Sequence, residues 1–223
     1  MWASSISIIV ISAPAFLFDL DGTLADTLPD LAASTNHVRA LHELPPADDA
    51  TVREFIGDGA RALLRRALAE RQPDERDLDR AFAEYVEHHE AECTRSCRLF
   101  PGAREHLVEL QERRCPIAIV TNKPERFARP VVTHLGLDAF TDVVIAGDTL
   151  PTKKPDPGML ELALHRLRAN RHTATMIGDG LQDLRAGKAL GARTIGCLFG
   201  YSEAATLRDE GADAFWSSFG VLS

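Results

Sequence analysis

The sequence predicts an α/β fold: a parallel sheet covered by helices on both faces, interrupted by one all-helical insertion. Three observations carry this. Short apolar runs rich in Ile and Val stop at Gly, Asp, Thr or Asn; helical patterns lie between most of them; and residues 28–97 hold no strand-like run at all. Continuous apolar runs mark strands buried on both faces, as a helix-covered parallel sheet requires.

The elements follow in order. The first run, Ala15 to Phe18, leads into "DLDGTLADT". Within the insertion, "ATVREFIGDGARALLRRALAER" sets Val52, Phe55 and Ile56, then Leu63, Leu64, Ala67 and Leu68 at helical spacing, and "DLDRAFAEYVEHH" repeats the pattern with Leu78, Phe82, Tyr85 and Val86. Strand-like runs return at Pro116 to Thr121, Asp142 to Ala146, Thr173 to Gly178 and Arg193 to Leu198. Helical stretches such as "GAREHLVELQERR" and "GMLELALHRLRAN" fall between them. The chain therefore divides into an α/β core, residues 1–27 and 98–223, and an inserted helical unit, residues 28–97.

Composition excludes several functions. With 223 residues, 45% of them hydrophobic, the chain can bury a core and an insertion. Its net charge of -8 carries no basic stripe; residues 28–97 hold 15 acids against 9 arginines. Nucleic-acid binding rests on neutralised phosphates, so no nucleic-acid partner is expected. Cys93 and Cys97 lie one helical turn apart without a second Cys or His pair, which reads as reduced thiols in a cytoplasmic protein. The opening "MWASSISIIVISAPA" ends like a cleavage site, yet no Lys or Arg precedes Arg39. Its apolar stretch is shorter than the roughly 20 residues of a membrane helix, which points to an N-terminal extension or a mis-set start and to no membrane partner. Nothing in the sequence speaks to oligomeric state.

In open α/β sheets ligands bind at the carboxyl ends of the strands. The first run ends at Asp19 and Asp21. Two apart in extended backbone, both carboxylates face the same way, and Gly22 lets the chain turn off sharply. Close like charges raise each other's pKa unless a cation intervenes. That pair suits a nucleophile, a proton shuttle and a bound Mg2+; the alternative is a solvated Asp-Gly turn. The second run ends at Thr121, Asn122 and Lys123, whose hydroxyl and amide suit phosphate oxygens or a helix cap. Of 25 basic side chains only four are lysines, Lys123, Lys153, Lys154 and Lys188, so "KKP" suggests a compact point charge beside an anion. The fourth run ends at Asp179, placed to complete a metal site. Asp183, one helical turn on, can hold a metal-bound water, orient Lys154, or serve the helix dipole. His88 and His89 project about 100° apart on one helix, which disfavours a shared metal, and Trp2 and Trp216 read as packing residues.

Together "DLDGT", "VTNK", "KKPDP" and "GDGLQD" resemble, in order, the four motifs of the haloacid dehalogenase-like hydrolase superfamily, over residues 15–218. The resemblance implies a Rossmann-like sheet of order 5-4-1-2-3 with a helical cap inserted after the first motif. It implies that Asp19 attacks phosphorus and forms an aspartyl-phosphate, and that Asp21 protonates the leaving alcohol and then activates water. Mg2+ would rest on the Asp19 carboxylate, the Asp21 backbone carbonyl and Asp179, while Thr121, Asn122 and Lys154 bind the transferring phosphoryl group. Within the superfamily, "DLDGTLADTLPDLAAS", "VREFIGDGARALLRRAL", "LFPGAREHLVEL" and "VTNKP" are similar to phosphoglycolate phosphatases, and "VTNKPERFARP" also resembles N-acetylmuramic acid 6-phosphate phosphatases. The substrate expected is thus a small phosphate ester, foremost 2-phosphoglycolate. A β-phosphoglucomutase-like mutase and a catalytically idle binding protein on the same scaffold are the alternatives. Arg61, in the Gly-rich stretch of the cap, is expected either to meet a substrate carboxylate or to be solvated at a helix junction.

Overall fold

The computed structural model describes residues 13–220; the apolar N-terminal stretch and Trp2 lie outside them. The central strand is β1 (Ala15–Phe18), too short and too apolar for an exposed position. It is followed by β2 (Ala25–Asp26), the helices α1 (Leu28–Leu41), α2 (Asp49–Phe55), α3 (Ala60–Ala67) and α4 (Glu75–Glu92), and β3 (Arg98–Leu99). The rest alternates: α5 (Ala103–Glu112), β4 (Ile117–Val120), α6 (Glu125–His134), β5 (Val144–Ile145), α7 (Gly158–Leu167), β6 (Ala174–Gly178), α8 (Leu181–Leu190), β7 (Arg193–Cys197), α9 (Ala204–Glu210) and β8 (Ala214–Trp216).

Among the described residues the main sheet runs β5-β4-β1-β6-β7-β8, every pairing parallel. The five strands read from sequence hold the expected order, and β8 extends it as a sixth at the edge. Three half-buried residues, "AFW", are too few to show a period, and their strand character comes from pairing Phe215 with Gly196. β5 is shorter than the run Asp142 to Ala146 suggested.

Alternation along the strands splits the core. Phe18, Ile119 and Ile177 face one side with Leu107 of α5 and Phe127 and Val131 of α6. Leu17, Val120 and Met176 face the other with Leu160 of α7 and Leu190 of α8. The first of these layers continues without a break into Leu63, Leu64, Leu78 and Tyr85 of the inserted helices. The insertion joins the sheet through the antiparallel ribbon β2–β3, where Ala25 faces Leu99 and Asp26 faces Arg98, whose side chains form a 2.8 Å ion pair. The stretch around Gly57-Asp58-Gly59 separates α2 from α3. Gly57 at φ 125° and Gly59 at φ 89° hold conformations that bar helix continuation.

Candidate active site

The carboxyl ends of β1, β4 and β6 meet under the inserted helices. The Asp19 amide donates to the Ile177 carbonyl and the Thr121 amide to the Ile145 carbonyl, so the first residue past β1 and past β4 is still fixed by the sheet. Just beyond, Gly22 at φ 81° bends the chain away; a side chain there would overlap the Asp179 carboxylate. Gly22 thus sets how closely β1 and β6 bring their acids together.

Lys154 lies at the base, with its side chain 0% exposed. Its ammonium contacts Asp19 Oδ1 at 3.0 Å and donates to Asp183 Oδ1 at 2.6 Å and to the Val120 carbonyl at 2.6 Å. Asp19 Oδ1 is thus a buried carboxylate oxygen whose charge is answered by the Lys154 ammonium. Burial would lower Lys154, but Asp183 and Asp19 outweigh it and hold the ammonium above its usual range. Burial also pushes the Asp19 carboxyl up to about 7; Lys154 draws it down while Asp183 and Asp21 push it further up. Asp179 is raised well above the ordinary carboxylate range by burial, then by Asp19 and Asp183, against its bonds from Tyr201 and Thr23. Such shifts mark carboxylates packed closer than water alone tolerates.

Asp19, Asp179 and Asp183 each bring one carboxylate oxygen to within 4.8 Å of the others. The oxygen-only donor set fits a hard divalent cation, without the thiolate or imidazole that softer metals favour. Asp183 has both oxygens engaged, one by Lys154 and one by the Gly180 amide at 2.9 Å. Asp19 and Asp179 line the cleft above whereas Asp183 does not, so coordination capacity rests with those two; the Asp179 oxygens accept from the Thr23 hydroxyl at 2.9 Å and the Tyr201 amide at 2.7 Å.

Above this base is a cleft of about 630 Å3, counting the space at its mouth. Asp19, Asp21, Thr121, Asn122 and Asp179 line it, together with Leu31, Ile56, Leu63, Tyr85 and His89 of the insertion and Phe127 of α6. Asp21 accepts from the Thr27 hydroxyl at 2.6 Å and from Lys123 at 3.1 Å. Asn122 clamps the Lys154 backbone, receiving its amide at 3.0 Å and donating to its carbonyl at 3.0 Å, and also donates to the Gly57 carbonyl at 3.0 Å. Of the roles open to Asp183, its contacts are those of a residue orienting Lys154 and capping α8.

Of the two readings open for Arg61, its placement is that of a partly exposed charge at the helix junction, outside the cleft lining. With Ala60, Leu63 and Leu64 buried, the helical phase of α3 turns Arg61 toward α4, where it pairs with Glu75 at 2.8 Å and Asp79 at 2.6 Å. The arginine lining the cleft is Arg53 of α2. Lys123, Thr23, Thr27, Tyr201 and His89 also belong to the site without having been singled out for it. For Lys123 the signal was available, since the scarcity of lysine applied to it equally. Tyr201 follows β7, and only the rule that strand ends gather ligands pointed there. Trp216 packs on His106 and Phe219, at ring distances of 5.0 and 5.8 Å.

Comparison with known proteins shows which family the chain is similar to. The family described as haloacid dehalogenase-like hydrolase matches residues 16–197. The chain is 40% identical over 197 residues to a phosphoglycolate phosphatase of Pseudomonas putida, covering 83% of this chain and 70% of that one. It is 35% identical over 211 residues to a phosphoglycolate phosphatase of Chromobacterium violaceum, covering 93% and 94%. Among solved structures, one described as a predicted phosphoglycolate phosphatase from Haemophilus somnus superposes with a TM-score of 0.85 at 27% identity, over 93% of this chain and 95% of that one.

Proposed function

The chain belongs to the haloacid dehalogenase-like hydrolase family, and on that premise we propose that it is a Mg2+-dependent phosphomonoesterase that hydrolyses 2-phosphoglycolate to glycolate through an aspartyl-phosphate. The observation that carries the reading is the Asp19 carboxylate, paired through its buried Oδ1 with the Lys154 ammonium at 3.0 Å, at the base of a cleft it shares with Asp21 and Asp179.

The residues divide the reaction between them. A carboxylate oxygen of Asp19 attacks phosphorus as the bond from phosphorus to the substrate alcohol breaks. Asp21 gives its proton to the departing oxygen and then takes one from the water that attacks the phosphorylated Asp19, releasing phosphate and restoring the carboxylate. The Thr27 hydroxyl and Lys123 hold Asp21 for both transfers. Lys154 and the Thr121 hydroxyl supply charge and hydrogen bonding to the phosphoryl oxygens, with Asn122 fixing the backbone that delivers Lys154. Mg2+ on Asp19, the Asp21 carbonyl and Asp179 would neutralise the charge that gathers on the phosphoryl group. Residues 28–97 act as a cap whose apolar side chains exclude water from the cleft while Asp19 reacts.

The test is phosphate release from a panel: 2-phosphoglycolate, N-acetylmuramic acid 6-phosphate, β-glucose 1-phosphate and p-nitrophenyl phosphate, with and without Mg2+. A kcat/KM about 100-fold higher for 2-phosphoglycolate, near 3 kcal/mol of transition-state discrimination, is expected. Asp19→Asn should lose at least about 1,000-fold in kcat. Substantial turnover by that variant would remove Asp19 as nucleophile, and a flat panel would withdraw the substrate.

A further inference from the structure

His89 is an imidazole that the reaction does not use. It lies on α4 and lines the cleft, 1% exposed, with Nδ1 2.8 Å from the Ser34 hydroxyl and Nε2 buried without a hydrogen-bond partner. Tyr85 and Phe127 grip the ring at centroid distances of 4.7 and 4.8 Å, so it cannot swing out to find one. A buried polar atom left unpaired costs about 1–3 kcal/mol, and such groups call for an explanation in what the site binds.

The geometry points to His89 as a specificity-determining residue: its Nε2–H donates to an anionic oxygen on the alcohol portion of the substrate, selecting small phosphomonoesters that carry a carboxylate there. This inference rests on the phosphomonoesterase reading above and adds the group that recognises the leaving side.

Ser34 makes the required tautomer accessible. Its hydroxyl has one proton and two imidazole neighbours, His89 Nδ1 at 2.8 Å and His88 Nδ1 at 3.1 Å. When it donates to His89, the ring proton of His89 sits on Nε2, the unpaired nitrogen of a ring that lines the cleft, and half-buried His88, free to change tautomer, donates to Ser34 in return. An anion in the cleft selects this arrangement, because the other would set the Nε2 lone pair against negative charge. The imidazole is also held neutral by burial, with Lys123 and then His88 lowering it further, down to about 2. It therefore recognises by hydrogen bonding and adds no formal charge to a cleft in which Lys123 already supplies one beside Asp21.

The experiment compares 2-phosphoglycolate with ethyl phosphate, in which a methyl group replaces the carboxylate, using wild type, His89→Phe and His89→Gln. The Phe ring keeps the contacts with Tyr85 and Phe127; Gln restores a donor near the position of Nε2. A charge-assisted bond is expected to be worth about 10- to 100-fold. His89→Phe should raise KM for 2-phosphoglycolate by about that factor with kcat changed less than about threefold, leave ethyl phosphate within about twofold, and be rescued by Gln. Equal losses on both substrates would assign His89 to packing and overturn the inference, as would retained discrimination in His89→Phe. If the wild type itself fails to discriminate, the 2-phosphoglycolate reading falls first, and the role of His89 with it.

Discussion

At the scale of single residues, the buried ionisable groups carry most of the testable content. His89 is pushed from an ordinary value near 6.5 to about 2, chiefly by burial. A group whose folded pKa is depressed contributes its full stability above the unfolded pKa and loses it as the pH falls toward the folded one. For His89 the loss starts near pH 6.5 and runs at most about 1.4 kcal/mol per pH unit. Between pH 6.5 and pH 5, before most carboxylates titrate, wild type should therefore lose about 2 kcal/mol more than His89→Phe. Urea midpoints across that interval measure this, and parallel curves for the two proteins would refute it. Lys154 shows the opposite economy: it is wholly buried but answered by two carboxylates, and removing it would leave both uncompensated, a change that costs about 3–5 kcal/mol in buried pairs.

At the scale of elements, α4 and the α2–α3 junction separate stability from function. α4 begins at Asp74, which accepts the Asp77 amide at 2.9 Å while Asp77 receives the Asp74 amide at 3.2 Å, a reciprocal cap. His89 sits fifteen residues on, about 22 Å along the helix. Asp74→Ala should lower stability by about 1 kcal/mol and leave kcat/KM unchanged. Gly59→Ala should behave differently. Gly59 sits at φ 89°, and a methyl group there would press on the Asn122 carbonyl and the Lys153 ammonium, both 3.0 Å away. We expect about 1–2 kcal/mol of destabilisation together with a fall in kcat/KM, because Asn122 positions the Lys154 backbone. Denaturation midpoints and steady-state kinetics on the two variants distinguish these outcomes; unchanged kinetics in Gly59→Ala would remove the junction from the site's architecture. The elements also differ in legibility. Five strands of the main sheet could be read because each lies in a continuous apolar run. β8 could not, since its three half-buried residues, Ala214–Trp216, stand in no longer apolar run. The orientation of Arg61 escaped for a related reason: whether an arginine beside a glycine turn faces ligand or solvent depends on which side of α3 the core claims.

At the scale of the whole molecule, one apolar layer runs from the sheet through Phe127 into the inserted helices, so the cleft wall and the core share a cluster. Cation binding at the base should therefore be felt throughout the fold. Mg2+ at about 100 times its Kd is expected to stabilise the protein by about 2.7 kcal/mol, read as a rise in melting temperature that EDTA reverses. Asp179→Asn should abolish that rise, and a wild type indifferent to Mg2+ would exclude Asp19 and Asp179 as a metal site. No helix among the described residues is long and apolar enough to cross a membrane.

The sequence by itself determined the fold class and five strands of the main sheet, whose order the family resemblance implied. It also brought Asp19, Asp21, Thr121 and Asp179 together, because each follows an apolar run and strand ends converge in a parallel sheet, while Lys154 stood out through the scarcity of lysine. Tertiary structure alone decided the rest. It set the Lys123–Asp21 pair, the clamp of Asn122 on Lys154, the outward turn of Arg61 and the unpaired Nε2 of His89. These depend on side chains from elements far apart in the chain meeting at fixed distances, and only packing of the inserted helices against the sheet establishes those distances.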